Sequence, residues 1–105
     1  MSADGELDGA VALVTGASRG IGRAIAHALG AAGARVIGTA TTEAGSEAIG
    51  ARLDEAGIEG SGLTLDVNDA EGPARVFETI AERYAPVTIL VNNAGVTRDN
   101  LFLRM

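Results

Sequence analysis

Apolar residues fall along this chain in short blocks that alternate between two spacings. Ala10-Val11-Ala12-Leu13-Val14-Thr15 is a nearly continuous apolar run bounded by glycine, the pattern of a strand buried on both faces. Ile21, Ala24, Ile25, Ala28, Leu29 and Ala32 then recur at helical spacing, and Gly33 is placed to stop the helix. The unit repeats. Arg35-Val36-Ile37-Gly38-Thr39 reads as strand two. A second helix from about Glu43 to Ala56 turns Ala44, Ala48, Ile49 and Leu53 inward and ends at Gly57. Strand three falls near Leu63-Thr64-Leu65. Asn68-Asp69-Ala70-Glu71 has the form of a capping box and introduces a third helix with Val76, Phe77, Ile80, Ala81 and Tyr84 on one face. Thr88-Ile89-Leu90-Val91 is strand four, followed by the turn Asn92-Asn93-Ala94-Gly95. Leu101, Phe102, Leu103 and Met105 predict the opening of a fourth helix, inside which the chain stops. Residues 1–9 are polar and acidic and are expected to be loose.

Strands alternating with helices imply βαβ units. Right-handed crossovers then give an α/β fold: a partial Rossmann-type, doubly wound parallel sheet, strand order 3-2-1-4, with helices on both faces. Residues 1–105 are one part of a single such domain. Strand four would normally pair with a fifth strand under further helices; without them Val87 to Val91 becomes an apolar edge with open backbone groups, and self-association along it or through uncovered helix faces is expected.

Composition narrows the chemistry. The 105 residues suffice for one domain, with 47% hydrophobic and 21% charged residues, a balance that suits a globular core. No apolar run approaches the ~20 residues of a membrane span. Asp4, Glu6 and Asp8 stand where a signal peptide would be basic, so the expected location is cytoplasmic. There is no cysteine, which excludes disulfides and thiolate sites. All eight basic residues are arginine, so no step needing a lysine ammonium can occur within the chain. The net charge of −6 argues against nucleic-acid binding.

An anionic ligand needs local help, and one segment offers it. Gly16-Ala17-Ser18-Arg19-Gly20-Ile21-Gly22 follows a strand and opens a helix. Glycines there permit positive φ and close backbone approach, and the helix N-terminus supplies free N–H groups for a pyrophosphate. The spacing is G-x-x-x-G-x-G, not G-x-G-x-x-G, so strand, helix and repeat context carry the assignment. The bland alternative is a purely structural turn.

Dinucleotide type is read at the end of strand two. An acid there would hold a ribose 2′-hydroxyl and repel a 2′-phosphate. The segment runs Gly38-Thr39-Ala40-Thr41, and the first acid is Glu43. Arg19 can pair with a 2′-phosphate, with hydroxyls of Thr39 or Thr41 adding hydrogen bonds. These residues favour NADP(H). Asp66-Val67 after strand three suits an adenine, Asp66 accepting from the amino group and Val67 against the ring; an Asx turn is the plain alternative. Asn93, Ala94 and Gly95 after strand four suit a ribose contact and a brace on strand one.

Thr15 to Gly22 together with Asn92-Asn93-Ala94-Gly95 resembles the short-chain dehydrogenase/reductase family. Val36 to Thr41 and Thr97-Arg98-Asp99-Asn100-Leu101 look like its bacterial 3-oxoacyl-[acyl-carrier-protein] reductases. The resemblance runs from about residue 8 to 105. It implies NADPH as reductant and a 3-oxoacyl thioester on acyl carrier protein reduced to the 3-hydroxyacyl form, in a homo-oligomer. Gly16 to Arg19, Thr41, Asp66, Val67 and Asn93 match cofactor-contacting positions of that group. Thr88 departs from the pattern, which has an Asp there, and slightly looser local packing is expected.

The family's chemistry uses a Ser, a Tyr-x-x-x-Lys pair and a further Asn, all after strand four. Tyr84 is the one tyrosine, Thr88 stands four residues later and no lysine exists. Tyr84 is therefore read as a packing residue, and no catalytic residue is assigned. His27, Glu43/Glu47 and Glu78/Glu82 are read as surface groups and no metal site is expected; Glu71/Arg75 is read as a surface ion pair. Three readings remain: the cofactor-binding half of a reductase, including an acetoacetyl-CoA reductase; a non-catalytic binding or self-associating module; and a small α/β domain without a ligand.

Overall fold

A computed structural model describes residues 6–18, 20–66 and 68–93, and the backbone of 101–104. Arg19, Val67, Ala94 and Gly95, named above as site residues, lie outside the described residues. So does the segment 97–100.

The element order is β1 (Val11–Val14), α1 (Gly20–Ala31), β2 (Arg35–Ala40), α2 (Glu43–Glu55), β3 (Gly60–Thr64), α3 (Gly72–Arg83), β4 (Ile89–Asn92) and β5 (Leu101–Arg104). The sheet order is β3-β2-β1-β4-β5. The first four strands are parallel, with Val14 opposite both Gly38 and Val91 and Ala40 opposite Thr64. All four therefore deliver their following loops to one edge of the sheet. This is the partial doubly wound architecture that the alternation of patterns predicts.

Alternate residues of β1 serve opposite faces. Ala12 and Val14 pack with Ala26 of α1 and with Ile49 and Leu53 of α2. Val11 and Leu13 pack with Val76 and Ile80 of α3. Side chains such as Leu13, Ile37, Leu53 and Ile80 are fully or almost fully removed from water, each worth about 1.5–3 kcal/mol of transfer free energy. The helix stops are where the glycines predict them, with Gly33 at φ 107 and Gly57 at φ 74.

Several expectations need correction. The segment from Leu101 forms β5, antiparallel to β4, and not the start of a fourth helix. An extended segment satisfies the N–H and C=O groups along the edge of β4, which a helix would leave open. Of the edge at 87–91 expected to be bare, Ile89 to Val91 are thereby paired. Residues 6–9 form a turn: Leu7 N–H donates to Ala32 O at 2.8 Å and its side chain packs on the core. The capping box does not form. Glu71 is the N-cap of α3 without a side-chain cap bond, and Asp69 accepts from Glu71 N–H instead. Ala24, Ala28, Ala44, Ala48 and Ala81 are exposed. α1 and α2 bury narrower stripes, Gly22 with Ala26 and Ser46 with Ile49 and Leu53. Small residues let these helices lie close to the strands, so fewer positions reach the core. Ion pairs are peripheral: Arg35 with Glu59 at 3.5 Å, and Arg75 with Asp69 and with Glu71 at 3.6 Å, the last at the spacing read from sequence.

Candidate dinucleotide site at the loop edge of the sheet

β1 ends in a turn over residues 15–18, and α1 begins at Gly20. Gly16 and Gly20 both take φ 65, a left-handed conformation that costs side-chain-bearing residues roughly 1 kcal/mol. The turn reverses the chain so that α1 starts above the edge of the sheet. Gly20 and Ile21 open the helix exposed, with Ile21 at 63% exposure. No acidic side chain occupies the first turn of α1. Its amides present a partial positive charge at that edge.

Gly16 is held from two sides. Asn93 Nδ2 donates to Gly16 O at 3.2 Å, and Gly16 N–H donates to Thr39 Oγ1 at 3.3 Å. Ala17 N–H donates to Thr39 O at 2.9 Å. Thr15 joins β1 to β4: its N–H donates to Val91 O at 3.0 Å, its hydroxyl donates to Asn92 Oδ1 at 3.2 Å, and it accepts from Asn93 N–H at 2.8 Å. Both asparagines therefore brace β1, the structural half of the role read for them. A Cβ on Gly22 would meet Gly16 O and stand 2.7 Å from Asn93 Nδ2. That close approach is why the helix can start over the turn.

The site residues read from sequence divide by position. Ser18 is half-buried, and Gly20, Ile21, Thr41 and Asp66 are exposed at the loop edge. Asn93 is half-buried beside the turn. Gly16, Ala17 and Gly22 form its floor, with Ala17 only 3% exposed. Thr39 departs most from expectation. It is 2% exposed and its hydroxyl receives the Gly16 amide, so it faces the turn and not a ligand phosphate. Asp66 Oδ1 accepts from Asn68 N–H at 2.9 Å, which is the Asx-turn alternative, while its carboxylate stays exposed at the edge. Thr15 and Thr39 were missed as turn supports. A threonine ending each of two adjacent strands beside a glycine turn was the available signal.

Tyr84 lies far along the chain from this edge, at the C-cap of α3. Its hydroxyl donates to Ser61 Oγ near the start of β3, at 3.4 Å, and its ring packs on the α3-face core. Thr88, read as a loosening replacement, is a tie. Its Oγ1 accepts from Val11 N–H at 3.0 Å. Two clefts flank α3. One of about 390 Å³ runs between β3 and α3 past Leu63, Asp66, Asp69, Arg75 and Thr79. The other, about 320 Å³, is lined by Leu13, Thr15, Val76, Phe77, Leu90 and Asn92.

A dinucleotide fits these groups. The turn is glycine-floored, the first turn of α1 carries no competing carboxylate, and polar side chains from the ends of β2 and β3 stand at the same edge. No described helix is long and apolar enough to cross a membrane.

Comparison with known proteins agrees with this geometry. The chain is 57% identical over 98 residues to the 3-oxoacyl-[acyl-carrier-protein] reductase FabG of Escherichia coli (strain K12), covering 93% of this chain and 39% of that protein. It is 57% identical over 99 residues to the reductase of the same name from Pseudomonas aeruginosa, covering 94% and 40%. For that of Vibrio cholerae the identity is 54% over 99 residues, covering 94% and 39%. The chain thus spans about two fifths of the length of these relatives. Residues 10–105, from the start of β1 through the braced glycine turn and beyond, match the family model described as short chain dehydrogenase, and the chain belongs to that family of oxidoreductases.

Proposed function

We propose that this chain is the NADP(H)-binding part of a reductase of 3-oxoacyl thioesters carried on acyl carrier protein. The observation that carries the reading is the end of β2. The strand closes at Ala40, Thr41 follows exposed at the site edge, and no carboxylate precedes Glu43. A 2′-phosphate at that edge meets the Thr41 hydroxyl and no like charge, and Arg19, in the glycine segment of the sequence, is the proposed guanidinium partner.

NADPH in such a site supplies hydride to a carbonyl carbon. The residues of this chain bind and orient it. The amides opening α1 take the pyrophosphate, and Ser18 lies beside them. Asp66 and Val67 take the adenine, Asn93, Ala94 and Gly95 the ribose side. Asn93 also holds the turn still through Gly16 O, so little ordering is left to binding.

The tyrosine–lysine pair that the resemblance implies for proton donation has no counterpart among the described residues. The one tyrosine is committed to Ser61 and the sequence holds no lysine to lower a tyrosine pKa. The chain alone is therefore inactive, and the full activity belongs to a longer cytoplasmic, homo-oligomeric protein. Fluorescence titration of the chain with NADPH and NADH tests this. NADPH should bind at least tenfold tighter, about 1.4 kcal/mol, and acetoacetyl thioester should cause no NADPH loss above a protein-free control. Equal affinities, or turnover above that control, would overturn the reading.

A further inference from the structure

We infer that Thr39 is a positioning residue for the cofactor turn and not a ligand to the cofactor. The inference rests on the dinucleotide reading above and assigns the turn amides within it. Thr39 takes two successive amides of the turn. Its hydroxyl accepts from Gly16 N–H at 3.3 Å and its carbonyl accepts from Ala17 N–H at 2.9 Å.

Two consequences follow from those bonds. Amides already committed to Thr39 are not offered to a phosphate, so the anion falls to the N–H groups after Ala17, where α1 opens. The hydroxyl also fixes the orientation of the Gly16 peptide. Gly16 has φ 65, a region in which glycine has several accessible conformations. Asn93 fixes its carbonyl from β4, and Thr39 fixes its amide from β2. With the hydroxyl gone, the carbonyl tether and the Ala17 bond remain, but the Gly16 amide loses its acceptor. Because Thr39 is 2% exposed, water does not readily replace that partner.

The role separates from simple packing by keeping shape and removing the hydroxyl. Thr39→Val preserves branching and volume; Thr39→Ser preserves the hydroxyl and drops the methyl. Two readouts on the 105-residue chain are decisive: NADPH affinity by titration, and hydrogen exchange of individual amides by NMR. Thr39→Val is expected to raise the NADPH Kd roughly tenfold. It should also speed exchange of the Gly16 amide while the Ala17 amide stays protected. Thr39→Ser should hold both values within about threefold of wild type, the scale of an ordinary context effect.

If Thr39→Val binds NADPH as wild type does with Gly16 exchange unchanged, the inference fails. If Thr39→Val does not fold, Thr39→Ser decides alone: a rise in Kd of tenfold or more with the hydroxyl retained overturns the positioning role. If wild type binds neither dinucleotide, the function proposed above fails instead. The exchange of Gly16 in Thr39→Val then still shows whether the hydroxyl holds the turn.

Discussion

Asn93 donates its side-chain amide to the carbonyl of Gly16, 77 residues earlier in the chain and 3.2 Å away, and Gly22 lies against that pair. A Cβ at Gly22 would press on the Gly16 carbonyl, which is backbone, and on Asn93 Nδ2 at 2.7 Å. Overpacking of this kind costs about 1–3 kcal/mol, which exceeds the ~1 kcal/mol that alanine gains over glycine in a helix. Gly22→Ala should therefore destabilise the chain. Gly50, inside α2, meets nothing closer than Gly62 N at 3.6 Å. Gly50→Ala should stabilise by about 0.5–1 kcal/mol. Urea unfolding of the two variants should move in opposite directions; a shared direction would contradict the packing at Gly22.

Thr88 gives a second test. Val11 is fully buried and its N–H donates to Thr88 Oγ1 at 3.0 Å. Thr88→Val keeps the shape of the side chain and leaves a buried donor without a partner, at a cost of about 1–3 kcal/mol. Thr88→Asp, the residue that the resemblance to the family implies at this position, restores an acceptor and should recover most of that loss. Thermal unfolding of both variants checks the order. A Thr88→Val variant as stable as wild type would mean that the bond contributes nothing.

Cofactor preference should turn on Thr41. It is exposed just past β2, where a carboxylate would accept from a ribose 2′-hydroxyl and repel a 2′-phosphate. Thr41→Asp should lower the NADPH-to-NADH affinity ratio by tenfold or more, about 1.4 kcal/mol. Thr39 is not the position for this experiment, because a charge buried there would disrupt the turn. An unchanged ratio in paired titrations would remove Thr41 from the specificity site.

The strands and helices were legible because each apolar block has one period and glycine marks its ends. The order of the first four strands followed from the alternation, the handedness of crossovers and the doubly wound pattern; β5 did not. What was not legible depended on spacing between elements. The alanines of α1 and α2 fit an apolar stripe, yet burial is decided by how near the helix lies to the strand. At Gly38 a Cβ would stand 2.7 Å from Ala17 Cβ, a closeness no periodicity encodes. Thr39 looked like a ligand group because it ends a strand at the right edge; the bond that turns it inward comes from a residue 23 positions away. The Leu101–Arg104 segment has an apolar pattern compatible with either period, and the open edge of β4 decided between them.

Acid titration should report the loop before α3. Asp69 has its carboxyl held below the ordinary value of 3.8, first by the hydrogen bond from Glu71 N–H and then, against some desolvation, by Arg75. A lowered folded-state pKa contributes stability that is present above the unfolded value and is lost as pH falls through the folded one. The Asp69 side chain is 40% exposed and screened by solvent, so the effect on unfolding is small and its own titration is the better readout. The carboxyl carbon shift of Asp69 should titrate with a midpoint below 3.8 in wild type. Arg75→Ala should raise that midpoint only part of the way, because the Glu71 amide remains. A wild-type midpoint at or above 3.8, or full return to it in Arg75→Ala, would mean that the backbone bond is not the main cause.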